Sequence, residues 1–284
     1  MTVIQAIILG IIQGLTEFIP VSSSGHIYTV PTLLGWDTLG LNYSDFISFI
    51  HVGTLFSLLY FFRRRILRYI LVVFEYAKKR GKVNNKEAKD FKTIVNIIIS
   101  VIPAAVLGLL LSNIIDEFYN VRSSSEATLL VAIPMIFVGF LFLIENRILN
   151  GAKAAYQIGY GKALIIGFSQ VLAFVRGVSR SGITLLSGQL VGLTRVSAAE
   201  FSFLMGIPII GGAVVKSLYD IISSNSLNSE NIYVYLAGAI ASFLAGNFAI
   251  KFMLNFLQTG SLKFFGIYRV VFGLILVLSS LVTR

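Results

Sequence analysis

The 284-residue chain has no cysteine. That excludes disulfides and thiolate chemistry, and it leaves the redox compartment undecided. Charge is scarce too. Asp, Glu, Lys and Arg make up 13% of residues, against about 25% in soluble domains. Histidine occurs twice, at His26 and His51. The first residues carry neither a basic n-region nor a small-residue cleavage site, so no removable signal peptide is expected. What is abundant is apolar: 56% of residues are hydrophobic, gathered in long runs. Such a composition describes an all-α polytopic membrane protein whose core is the bilayer-embedded bundle itself.

Six runs are long enough to cross a bilayer, roughly 45–62, 93–113, 126–145, 199–220, 232–257 and 263–283. The formal charge of +10 could suggest nucleic acid, but its distribution argues otherwise. Eleven of the 23 basic residues fall in residues 63–92, against three acids, which makes that loop cytoplasmic. Its apolar part, 66–77, is too short to cross and is expected to lie along the interface. Alternation then puts loop 114–125, with Asp116 and Glu117, outside. Loop 146–162, with Arg147, Lys153 and Lys162, falls inside. Loop 221–231, with Glu230, falls outside, and Lys263 inside. The basic balance is thus a topology signal, and no nucleic-acid partner is expected.

Two segments, 2–35 and 162–194, are not simple crossings. Each opens with an apolar helix, breaks into a polar glycine-containing turn, and resumes an apolar stretch. Aligned without gaps, "AIILGIIQGLTEFIPVSSSG" and "ALIIGFSQVLAFVRGVSRSG" share nine of twenty positions. Ala6, Ile8, Gly10, Gln13, Leu15, Val21, Ser22, Ser24 and Gly25 recur as Ala163, Ile165, Gly167, Gln170, Leu172, Val178, Ser179, Ser181 and Gly182. Chance could supply the aliphatics but is a poor source of Gln, Ser, Ser and Gly in register. Three crossings separate the copies, so they insert in opposite orientations. The expected architecture is one membrane domain of two inverted halves, about 1–146 and 155–284, joined by a cytoplasmic linker, with two re-entrant helical hairpins. Irregular backbone at membrane depth must be buried in protein or line a wet cavity, so both turns should share one.

The first turn carries Glu17, Ser22, Ser23, Ser24, Gly25 and His26. The second carries Arg176, Ser179, Arg180, Ser181, Gly182 and Thr184. An ionisable group at the bilayer centre costs about 2.5–3.5 kcal/mol, so such residues are functional candidates. The bland reading is a buried Glu17–Arg180 pair that only clamps the halves. Hydroxyls, glycine-freed N–H groups, helix N-termini and an arginine together suit phosphate oxygens. Glu17 would repel a phosphate unless a divalent cation bridges them, and Gln13, one turn earlier, could add a neutral oxygen. His26, three residues from Ser23, makes a nucleophile–base pair conceivable. His51, alone on an apolar crossing, reads as packing or a helix–helix hydrogen bond. The glycines of "GIPIIGGA" (206–213) and "AGAIASFLAG" (237–246) read as small-residue helix packing.

"QGLTEFIPVSSSGH" and "RGVSRSG" resemble the two signature motifs of the undecaprenyl-diphosphate phosphatase family, also known for bacitracin resistance. "AAEFSFLMGIP" and "IYRVVFGLIL" are similar to it as well, so the resemblance spans essentially the whole chain. It implies hydrolysis of a polyprenyl diphosphate to the monophosphate that carries glycans across the cell membrane. It also implies inverted repeats with re-entrant hairpins, a divalent cation such as Mg²⁺ or Ca²⁺, and a site open to the outer face. Carried across, the (Glu/Gln)-x-x-x-Glu metal motif falls on Gln13 and Glu17, the nucleophile on Ser23 and the motif histidine on His26. Ser179, Arg180 and Thr184 are the second-motif residues. Gln13 stands where many members have glutamate, and Arg176 replaces the usual proline before Gly177. Catalysis is expected from Ser23, His26, Glu17 and Arg180. Ser22, Ser24, Gly25, Ser179, Ser181, Gly182, Thr184 and Arg176 are the expected substrate contacts. The sequence leaves open whether His26 is base, acid or nucleophile, and it is compatible with a homodimer.

A lipid-phosphate transporter or flippase would need nearly the same cavity and is the rival reading. The Ser–His pair discriminates, because a carrier needs phosphate binders but no nucleophile. A purely structural membrane protein would have no reason to hold Glu17 and Arg180 at depth. Isoprenoid length and saturation are not encoded legibly.

Overall fold

Where apolar side chains run on for twenty residues, the backbone has no water to bond and must satisfy its own N–H and C=O groups, which a helix does. The computed structural model of the chain describes residues 1–36, 43–120, 124–148, 151–223 and 232–282. Their regular structure is helical apart from one isolated bridge, Lys153 with Leu193. In chain order the α-helices are α1 (Val3–Phe18), α2 (Ser23–Leu33), α3 (Tyr43–Phe61), α4 (Arg63–Lys78), α5 (Asn85–Asn120) and α6 (Ser124–Ile148). They continue with α7 (Tyr160–Val171), α8 (Arg180–Leu190), α9 (Arg195–Ser223), α10 (Ile232–Thr259) and α11 (Lys263–Val282).

Among the described residues, six stretches are long and apolar enough to span a membrane: Tyr43–Phe61, Asn85–Ser112, Ser125–Glu145, Arg195–Ser223, Ile232–Thr259 and Lys263–Leu281. They match the six runs read from the sequence. The loop expected from residue 114 is instead helical to Asn120, because α5 carries on past its apolar part. Residues 37–42 and most of loop 221–231 lie outside the described residues. Helix α4 exposes Leu67, Ile70, Leu71, Val73 and Phe74. Its Arg65 pairs with Glu200 of α9 at 2.9 Å, and its Arg68 pairs with Asp90 of α5.

The first helix of each polar-turn pair packs more on a distant helix than on its neighbour in sequence. Helix α1 lies along α10, and α7 lies along α5. Helix α6 packs on α11, while α3 and α8 both pack on α9. The α1–α10 contact is close because glycines permit it: a methyl group at Gly10 would sit 2.2 Å from the Gly238 carbonyl oxygen. The small residues of 237–246 therefore do pack helices, as expected. Those of 206–213 mostly do not. Gly212 has open space beside it, Gly211 has nothing nearer than Leu55 at 3.9 Å, and a methyl at Gly206 would meet the Arg180 guanidinium at 2.5 Å. Gly206 thus makes room for a site residue rather than for a helix. Phe18, Phe142, Phe201, Phe203 and Met205 fill the main core beside these seams.

Candidate active site

The two polar turns are built alike. Chain α1 ends at Phe18, turns through Ile19–Val21 and restarts at Ser22, the N-cap of α2. Ser22 holds φ at +77°, and its side chain accepts from the Gly25 N–H at 3.2 Å. In the second turn Ser179 caps α8 with φ at +74°, and its side chain accepts from Gly182 N–H, also at 3.2 Å. The partner hydroxyls repeat too: Ser22 to Ser24 and Ser179 to Ser181 are each 3.3 Å. Left-handed backbone at a non-glycine residue costs about 1–3 kcal/mol and persists only when its surroundings impose it.

Arg269 of α11 supplies much of that imposition. It is fully buried. One guanidinium donates to Pro20 O in the first turn (3.1 Å) and to Gly177 O and Val178 O in the second (2.7 and 3.0 Å). Its Nε reaches Met135 O of α6 at 3.3 Å. A planar fork of five donors can span two loops in this way, whereas a single ammonium cannot. The turns also touch directly, Gly177 N–H donating to Ser24 Oγ at 3.5 Å and Ser181 Oγ to Glu17 O at 2.9 Å.

Between the turns lies a cavity of about 220 Å³. Glu17, Ser23, Ser24, His51, Gln170, Ser179, Arg180 and Ser181 are its polar lining, and Ala104, Phe174, Ile209 and Ile210 are among its apolar wall. Glu17 closes the last turn of α1. Its Oε2 accepts from Ser23 Oγ at 2.8 Å and from Gln13 Nε2 at 3.2 Å, and its Oε1 accepts from Arg180 Nη2 at 3.0 Å. Arg180 Nη1 is steadied by Ser202 O at 3.1 Å. A hydroxyl hydrogen-bonded to a carboxylate, beside an arginine and two helix N-termini, combines a nucleophile, a proton acceptor and a seat for negative charge.

Other expected residues stand elsewhere. Ser22, Gly25 and Gly182 form the caps just described. Thr184 is buried, donating to Arg180 O at 2.7 Å and meeting Ser202 Oγ at 2.6 Å, so it braces Arg180 from behind. The Arg176 guanidinium lies against the rings of Tyr28 and Tyr119, 4.0 and 4.2 Å from their centroids, outside the cavity lining. His26 was expected within reach of Ser23. Its Nδ1 instead meets Ser22 O and its Nε2 Tyr268 Oη, both at 2.7 Å, and its ring stacks on Phe272. No hydrogen bond joins Ser23 and His26 among the described residues. Packing or a helix–helix hydrogen bond was expected of His51: its Nδ1 meets Ile47 O of its own helix at 2.8 Å, and its Nε2 lies 3.9 Å from Glu17 Oε2 of α1, where the residue lines the cavity. The signal that would have found His51 and Arg269 is the one that found Glu17, a titratable group inside an apolar span.

For a cation, the described residues contain no cluster of three or more His, Asp or Glu side chains able to hold one. The protein offers the Glu17 carboxylate and the Gln13 amide. That set fits an ion such as Mg²⁺, which is commonly held by one or two carboxylates, water and the phosphates of its substrate.

Residues 6–275 match the family described as Bacitracin resistance protein BacA. A protein of Thermodesulfovibrio yellowstonii named undecaprenyl-diphosphatase is 37% identical over 265 residues, covering 93% of this chain and 92% of the relative. Relatives of the same name from Alkaliphilus metalliredigens and Gemmatimonas aurantiaca are each 35% identical. They cover 99% and 100% of this chain, and 100% of their own lengths.

Proposed function

The chain belongs to the bacitracin resistance protein BacA family and is an undecaprenyl-diphosphatase, and we propose that Ser23 is the nucleophile of a two-step hydrolysis in the cavity between the turns. The observation that carries this reading is Ser23 Oγ, 2.8 Å from Glu17 Oε2 and beside Arg180. The diphosphate enters the cavity with its terminal phosphorus at Ser23 and its lipid against the apolar wall. Ser23 Oγ attacks that phosphorus and passes its proton to Glu17. The bond to the bridging oxygen breaks, and undecaprenyl phosphate leaves with the proton that Glu17 returns to it. Water, deprotonated by the regenerated Glu17 carboxylate, then attacks the phosphoserine; the Ser23 Oγ–P bond breaks, Glu17 passes the proton back to Ser23 Oγ, and inorganic phosphate is released.

Charge stabilisation dominates such transfers. Arg180, now 3.0 Å from Glu17 Oε1, turns its fork to the phosphate oxygens. The first-turn N–H groups of α2 and α8 and the hydroxyls of Ser24 and Ser179 add donors, while Ser181, whose hydroxyl donates to Glu17 O, lines the cavity beside them. Ser22, Gly25, Gly182 and Thr184 shape the turns rather than touch substrate. His26 ties the first turn to α11 through Tyr268, and Arg176 anchors the second to Tyr28 and Tyr119. Glu17 and Gln13 would hold a divalent cation, Mg²⁺ or Ca²⁺, which when bound supplies positive charge against the diphosphate. A flippase would need the same cavity but no nucleophile. Solubilised in detergent, where no second compartment exists, the protein should still release phosphate from undecaprenyl diphosphate. Excess chelator should stop release, and Mg²⁺ or Ca²⁺ should restore it. Undiminished turnover in chelator would remove the cation from the reaction.

The halves, about 1–146 and 155–284, are inverted repeats within one membrane domain, and α1–α2 and α7–α8 are re-entrant hairpins entering from opposite faces. Support comes from the nine shared positions, the matched serine caps, and the exchange of partners whereby α1 packs on α10 and α7 on α5. The site opens to the outer face of the cell membrane. Single cysteines test this without background. Gly40→Cys and Ser226→Cys should react with an impermeant thiol reagent on intact cells, and Asn85→Cys and Ala155→Cys should not. Labelling of Ala155→Cys from outside with Asn85→Cys protected would make the halves parallel.

A further inference from the structure

One wall of the cavity carries a polar group that the reaction above leaves idle. Gln170, near the end of α7, is 1% exposed and lines the same cavity as Glu17, Ser23 and Arg180. Neither its Oε1 nor its Nε2 has a hydrogen-bond partner among the described residues. A buried amide with both ends unpaired carries the full cost of desolvation, and native proteins keep such groups rarely and for a reason.

The repeat explains how the group came to be unpaired. Gln170 is the counterpart of Gln13, whose Nε2 donates to Glu17 Oε2 at 3.2 Å, one turn further on. The residue one turn beyond Gln170 is Phe174, which also lines the cavity and can accept nothing. The second half thus retains the glutamine and has a phenylalanine where its internal partner would be. Its amide faces a space already furnished with donors for anions.

We propose that Gln170 is a substrate-binding residue, its amide N–H₂ donating to a phosphate oxygen of the bound diphosphate. The inference rests on the reading of the cavity as the diphosphate site, and it adds the ligand that the second half contributes from α7. Its amide oxygen then accepts from a water or a protonated phosphate oxygen of the same ligand. A purely structural glutamine would have its partners in the protein. This one has none among the described residues and lines the cavity.

The test is Gln170→Leu, which keeps the volume and removes both polar atoms. In the protein without substrate, thermal stability should stay unchanged or rise, since no protein hydrogen bond is lost and an unpaired group is removed. The value of kcat/KM for undecaprenyl diphosphate should fall on the order of 10- to 100-fold, the effect of one hydrogen bond to a charged group. In a Ser23→Ala background, which cannot turn substrate over, the rise in melting temperature given by undecaprenyl diphosphate should shrink when Gln170→Leu is added. A clear loss of stability without substrate would assign Gln170 to the fold and overturn the proposal. So would kcat/KM within about twofold of the parent. The Ser23 chemistry would stand in either case, because the parent enzyme and the Ser23→Ala control report on it separately.

Discussion

Ser23→Ala should lose phosphate release by on the order of 10³-fold or more while keeping its helices and its place in the membrane. The change removes the attacking oxygen and nothing that the fold needs. Ser23 opens α2, but the cap is Ser22, whose hydroxyl meets the Gly25 N–H. Loss of a nucleophile collapses a covalent pathway to what binding and charge stabilisation alone can do. Glu17 would lose one of its three side-chain donors and keep Gln13 and Arg180. Phosphate release from purified Ser23→Ala, alongside its helical content, checks this. Turnover within tenfold of the parent would move the attack to Ser24 or to water.

Arg269→Leu should be nearly as damaging by a different route. It removes every donor that joins Pro20, Gly177, Val178 and Met135 through one side chain. Hydrogen bonds from a charged group are worth about 1.5–3 kcal/mol each before the cost of burying the charge is set against them. The turns would lose their shared anchor and the pressure that holds Ser22 and Ser179 at positive φ. Misplacement of the reacting groups by about 1 Å is enough to cost on the order of 100-fold in rate. Arg269→Lys should recover little, because one ammonium cannot reach both turns. Activity and melting temperature should therefore fall together in both variants, unlike in Ser23→Ala, where only activity falls. Near-normal turnover in Arg269→Leu would mean that the turns hold their own shape.

The crossings and the breaks were legible because a membrane imposes a simple rule: long apolar runs cross, and polar glycine-containing turns do not. The repeat was legible because Gln, Ser and Gly recur in register. In the gapless alignment Ser23 stands opposite Arg180, a hydroxyl against a guanidinium at one position of the pattern. The Glu17–Arg180 contact could be anticipated because two opposite charges at depth need one another. His26 shows where proximity in sequence misleads. Three residues from Ser23, it lies back over Ser22 in the helix and is claimed by Tyr268, 242 residues away. His51, Gln170 and Arg269 reach the site or its turns only through packing between distant helices. The sequence marks His51 and Arg269 as titratable groups inside apolar spans, but nothing local to those segments says which turn each one reaches.

The stereochemical course at the terminal phosphorus tests the covalent pathway most directly. Undecaprenyl diphosphate made chiral there, with sulfur and oxygen isotopes on the terminal phosphoryl group, is hydrolysed in isotopically labelled water, and the configuration of the released thiophosphate is read. Each in-line displacement inverts phosphorus. Attack by Ser23 followed by attack of water gives two inversions, so net retention is the predicted result. Net inversion would mean that water attacks the diphosphate directly and that Ser23 never carries the phosphoryl group.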